Sequence, residues 1–98
     1  MKFKYRLPES WIKKVVKLRE FAAGSTQVSI ELKDGRVFKK VLISNSTHIV
    51  AARGLRDLPF EMAEIRSIFQ FAEDKNPAQR DGWQLWDNAD HQAPKVVK

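Results

Sequence analysis

The stretch Gln27–Ile49, QVSIELKDGRVFKKVLISNSTHI, constrains the fold more than any other part of the chain. Val28, Ile30 and Leu32 alternate with Ser29, Glu31 and Lys33, the period-2 pattern of a strand with one apolar and one wet face. Asp34-Gly35 follows, a dipeptide that tolerates the positive φ angles of a short hairpin loop. The second run, Arg36 to Ser44, is rich in β-branched and aromatic residues and reads as the partner strand. Its alternation slips at Lys39-Lys40, which predicts a bulge that bends the strand and raises its twist. A strongly bent second strand is what a small barrel needs to close. An ordinary hairpin with a wet stretch is the competing reading.

The rest of the chain arranges itself around this pair. In Met1–Leu7, Phe3, Tyr5 and Leu7 alternate with cations, as in a short edge strand or an arm that folds on contact. After Pro8, Ser10 is a candidate N-cap, and Trp11, Val15, Leu18 and Ala22 follow at helical spacing, with Gly24 as a stop. This predicts a helix over about 10–22; the β-branched residues leave a strand over Val15–Phe21 as the rival. Asn45-Ser46 reads as a turn, 47–52 as a third strand, 55–64 as a loop with one helical turn, and 65–71 as a last strand. From Glu73 on the chain is polar, with Pro77, Asp81-Gly82 and Pro94 and no sustained period. The expectation is a mainly β (α+β) fold. Residues 1–72 form a small five-stranded, strongly bent barrel with an N-terminal helix, and residues 73–98 a partly ordered C-terminal tail.

With 43% hydrophobic and 31% charged residues, the 98-residue chain falls in the range of a globular domain rather than a disordered one. There is no cysteine, which removes disulfides and thiolate chemistry and fits a reducing compartment. No run approaches the roughly 18 apolar residues of a membrane span. MKFKYRLPESW has charge but not the apolar core of a signal peptide, so a cytoplasmic protein with no membrane partner is expected. The net charge of +6 is uneven: residues 1–56 hold 13 Lys/Arg against 4 Asp/Glu, and residues 57–98 hold 5 against 8. A basic half suits phosphate-bearing partners, although solubility alone accounts for such a charge in many small domains.

Leu32-Lys33-Asp34-Gly35-Arg36-Val37-Phe38 followed by Val41-Leu42-Ile43-Ser44 resembles the first sequence motif of the Sm-like RNA-binding family. The helix expected at Ser10–Ala22 precedes it as in that family, and His48-Ile49 falls where the family often has a histidine and an apolar residue. The resemblance covers roughly residues 10–50 and implies an Sm-like or Src-homology-like small β-barrel. The family's glycine in the bent strand falls at Lys40, and the Asp and Asn of its base-binding loop at Ser46 and Val50. Arg53-Gly54 comes too early for the second motif. The resemblance therefore implies a barrel shape and carries over no oligomeric RNA pocket and no base-reading residue.

Catalytic constellations are missing from the pattern. No Ser–His–Asp set has recognisable local context, and no glycine-rich loop opens a helix. Glu61 and Glu64 lie three apart on what reads as the solvated face of a short turn. Asp87, Asp90 and His91 lack a ligand spacing, and His48 stands alone in a strand. No catalytic residue, no metal and no cofactor is expected, and the protein is read as a non-enzyme. Lys13, Lys14 and Lys17 on the helix, Arg36, Lys39 and Lys40 on the hairpin, and Arg53 and Arg56 after the third strand are the candidate phosphate-contacting set. Trp83, Leu85 and Trp86 are the candidate protein interface, because large aromatics anchor interfaces out of proportion to their number; docking on the chain's own barrel is the alternative for them. The function expected is a small non-enzymatic binding module for another protein or a second copy of itself, as an adaptor, regulator or immunity-type inhibitor. The alternative is a nucleic-acid-binding barrel contacting RNA or DNA phosphates through helix and hairpin.

Overall fold

The computed structural model describes residues 3–86. Helix α1 (Glu9–Val15) precedes β1 (Ser25–Leu32), β2 (Val37–Ser44) and β3 (His48–Ala52), then a 3-10 turn at Met62–Glu64, β4 (Ile65–Phe69) and helix α2 (Ala72–Lys75). The strands form one antiparallel sheet in the order β3-β2-β1-β4. The fold is mainly β, of the α+β kind.

The central hairpin follows its sequence pattern. Gly35 sits at φ +94°, its N–H bonding the Leu32 carbonyl, and the Asp34 carboxylate accepts from both the Arg36 amide and its Nε. The backbone amide of Arg36, then its guanidinium, holds the Asp34 carboxyl below the usual range. The bulge falls where the alternation slips. Val28 opposes Val41 and Ile30 opposes Phe38, so Lys39 and Lys40 together face Ser29. Lys40 takes a left-handed φ of +56°, and its carbonyl accepts from the Arg53 amide. Asn45 and Ser46, at φ +51° and +64°, turn β2 into β3.

Two expectations are corrected. Over the described residues the sheet is open and has four strands, not five in a closed barrel. Residues 5–7 do lie along the outer edge of β3, with Leu7 N–H bonding the Thr47 carbonyl at 2.8 Å and Ile49 N–H the Tyr5 carbonyl at 3.0 Å. They form only the single bridge Arg6–His48 before Pro8 turns the chain into α1. The helix is also shorter than 10–22. It starts at Glu9 and ends at Val15, with Pro8 rather than Ser10 in the cap position. Leu18 packs into the main core whereas Phe21 packs against Leu42, Val50 and Ala51 in a second cluster. One continuous helix cannot serve both, so the chain unwinds between them. Gly24 then follows at φ +75°, and a Cβ there would lie 2.7 Å from Asn45 Oδ1, closer than real contacts allow.

Val28, Ile30 and Leu32 are fully buried with Val41, Ile43, Ile49, Ile65 and Ile68. Leu7, Val15, Phe60 and Trp86 join this core. The second face of β1 is not wet, as alternation predicts, because Gln27 and Ser29 are buried too. Asp74 of α2 lies over them and accepts from Gln27 Nε2 at 2.8 Å and from Ser29 Oγ at 3.0 Å; the Phe71 amide donates to the same carboxylate at 2.9 Å. Both faces of the sheet are therefore covered, the second by a segment expected to be tail. Residues 87–98 of that expected tail lie outside the described residues.

Candidate functional site

The two edges of the sheet differ. Along β3, residues 5–7 cover one end, and the Trp86 amide bonds the Val50 carbonyl at 2.8 Å. Along β4, the Ile65 amide bonds the Met62 carbonyl, and residues 66–69 make no backbone hydrogen bond beyond the pairing with β1 among the described residues. The Gln70 side chain closes the far end of that edge, accepting from the Arg19 amide at 3.0 Å and donating to the Arg19 carbonyl at 2.8 Å. Beside the edge, Phe69 and Phe71 meet edge-to-face with centroids 5.1 Å apart, and the Lys39 ammonium sits 4.8 Å from the Phe71 ring centre. Phe71 is 45% exposed. Arg66 is exposed on β4, 3.8 Å from the Glu31 carboxylate.

The expected cations are spread over several elements. Lys13 and Lys14 are exposed on α1, which contacts β4, the sheet edge opposite β3, and Lys17 is exposed in the turn just after it. Arg36 stays at the hairpin tip between Asp34 at 2.8 Å and Glu64 at 3.7 Å. Arg53 and Arg56 lie in the turn after β3, where the Arg53 amide bonds the Lys40 carbonyl at 3.1 Å. The turn 52–56 and residues 82–84 enclose a cleft of about 290 Å³ there, lined by Arg53, Arg56 and Trp83.

The tryptophan segment is docked on its own chain. Trp86 is buried in the main core, and its indole N–H bonds the Leu55 carbonyl at 3.2 Å. Trp83 is half-buried, with the Arg53 guanidinium 3.7 Å above its ring. Trp86 is thus unavailable as a partner anchor while this fold persists, and of the three expected interface residues only Leu85 is largely exposed.

Three titratable groups, Tyr5, Asp57 and His48, are shifted near the β3 edge. Burial, then the hydrogen bond and charge of Asp57, push the Tyr5 phenol up to about 12, and the same hydrogen bond holds Asp57 below its ordinary value. Burial, then the Arg6 charge, lowers His48, whose Nδ1 lies 2.9 Å from Thr47 Oγ1. Glu64 Oε2 accepts the Glu61 amide at 2.8 Å and caps the 3-10 turn. No group of three His, Asp or Glu close enough to hold a metal occurs among the described residues, and Asp87, Asp90 and His91 fall outside them. No described helix is long and apolar enough to cross a membrane.

Sequence reasoning missed Phe69, Gln70, Phe71 and Asp74. The first three stood in or beside a predicted strand without a pattern to single them out, and Asp74 stood in the expected tail. No family model, no curated protein and no solved structure matches the chain.

Proposed function

We propose that the protein is a non-enzymatic binding module that takes an extended segment of another protein, or of a second copy of itself, along the β4 edge. The observation that carries this reading is the asymmetry of the sheet. The β3 edge is bonded by residues 5–7 and Trp86, whereas residues 66–69 of β4 have no backbone partner beyond β1 among the described residues. Unpaired edges template a further strand, and proteins usually blunt the ones they do not use. Phe69 and Phe71 beside the edge supply apolar contact, and Lys39 adds a positive charge.

The Sm-like kinship remains part of the proposal. It is supported by the element order and by the left-handed φ at Lys40, the position of that family's strand glycine. Nucleic-acid binding through α1 and the hairpin together is the less favoured reading. It calls for one cationic surface, whereas the α1 lysines lie on the β4 side of the sheet and Arg36 is paired with two carboxylates.

A proline pair tests the edge. Arg66 is the extra residue of the register shift between Ile65 and Ser67, whereas Ser67 pairs with Glu31, so Arg66→Pro and Ser67→Pro differ in their cost to the fold. The variant that keeps the parent's unfolding midpoint is the informative one. It is expected to lose self-association in sedimentation, or the partner recovered by affinity capture with the parent chain. Retention of the same complexes by that folded variant would exclude the edge as the docking line.

A further inference from the structure

We propose that the cleft beside β3 is a phosphate-binding site, built by Arg53, Arg56 and the backbone of the turn around Gly54. It is independent of the β4 edge.

Three described arginines are neutralised by carboxylates: Arg6 by Glu9, Arg36 by Asp34 and Glu64, and Arg66 by Glu31. Among the described residues Arg53 and Arg56 have no such partner, although they line one small cleft. The neighbouring Asp57 is engaged by Tyr5 and by Lys4. Arg53 and Arg56 therefore line the cleft with no carboxylate paired to either among the described residues, which suits an anionic group.

Arg53 is held in place. Its guanidinium stacks 3.7 Å from the Trp83 ring centre, and Nη2 donates to the Asp81 carbonyl at 2.8 Å and more weakly to Gln79 at 3.4 Å. Nε and Nη1 have no acceptor among the described residues and keep N–H donors, although both two-pronged pairs of the guanidinium include the engaged Nη2. A guanidinium clamped on an aromatic face loses little freedom when it donates to an oxyanion. The Trp83 indole N–H is itself buried with no acceptor.

The backbone adds to the site. Gly54 has φ +80°, and a Cβ there would meet nothing within 4 Å, so the turn is open to an approaching ligand. The Gly54 and Arg56 amides bond no carbonyl among the described residues. The volume, about 290 Å³, fits a phosphate with a small substituent. Such a phosphate has two sources, a free phosphate ester or the backbone of a nucleic-acid strand.

The test is a titration of the whole 15N-labelled chain, followed by two-dimensional NMR with inorganic phosphate, adenosine monophosphate, oligothymidylate and acetate. Phosphate is expected to shift the Gly54 amide and the Trp83 indole N–H, whereas acetate at the same ionic strength leaves both in place. Arg56→Gln, at an exposed position, should weaken phosphate binding about tenfold. A larger, steeply salt-dependent affinity for oligothymidylate would assign the phosphate to a strand; equal affinity for phosphate and adenosine monophosphate, with nothing gained from the oligomer, would assign it to a free ester. Equal shifts with acetate, shifts confined to the α1 lysines, or an Arg56→Gln affinity equal to the parent's would each overturn the site.

Discussion

The Trp86 indole meets the Tyr5 ring edge-to-face, with ring centroids 6.0 Å apart and planes at 89°. This contact joins the last described residue to the segment ahead of α1, and both lie along the outer edge of β3. It makes the C-terminal segment a structural part of the domain. Trp86→Ala should therefore cost about 3–5 kcal/mol, the range for deleting a buried aromatic. Urea unfolding would measure it. A loss below about 1 kcal/mol, the usual scale of surface substitutions or less, would mean that the indole is not part of the core.

Tyr5 is the only tyrosine of the chain, so ultraviolet absorbance follows its titration alone. The phenol is raised from 10.0 to about 12. The fold thus favours the protonated form; this contribution is intact below pH 10 and is lost as pH rises toward 12. Asp57 is shifted the other way, so its contribution is present above pH 3.8 and fades as pH falls through its lowered value. Asp57→Asn should move the Tyr5 midpoint toward 10.0, leaving the part due to burial. An unchanged midpoint in that variant would refute the coupling.

Asp74 is a buried carboxylate with three donors and no cation: Gln27 Nε2, Ser29 Oγ and the Phe71 amide. Its removal leaves those donors without an acceptor. Asp74→Ala is expected to destabilise the protein by about 2–3 kcal/mol, the scale of a hydrogen-bonded buried charge. Ser29→Ala removes a single hydrogen bond and should cost about 1 kcal/mol. Equal losses for the two variants, compared by thermal unfolding, would contradict the central role of the carboxylate.

Lys40 carries left-handed backbone strain inside a strand. A side chain costs roughly 1–2 kcal/mol there relative to glycine, partly offset by the greater freedom of glycine in the unfolded chain. Lys40→Gly should therefore raise stability by about 0.5–1 kcal/mol, and Lys40→Val, β-branched at positive φ, should lower it. The two midpoints in guanidinium unfolding are predicted to lie on opposite sides of the parent's. The reverse order would show that the bulge relaxes when the lysine is changed.

The parts legible in the sequence were those with a local cause. Alternation marked β1, Asp34-Gly35 the hairpin turn, and the doubled lysine the bulge. Short apolar runs marked β3 and β4. The candidate sites were less legible because they depend on distant partners. Arg53 and Arg56 were visible as cations, but Trp83, which clamps Arg53, stood in a segment without period. Phe71 and Lys39 are 32 positions apart, and only the pairing of β1 with both β2 and β4 brings them together.

By itself, then, the sequence determined the strands and their bend, because a two-residue period and a turn dipeptide act over a few bonds. Tertiary structure alone decided that α1 stops at Val15, that the sheet stays open at β4, and that residues 72–86 cover its second face. These outcomes turn on single docked side chains, Leu18, Phe21, Asp74 and Trp86. Each is held by contacts far along the chain, and such contacts leave no periodic trace in the residues around them.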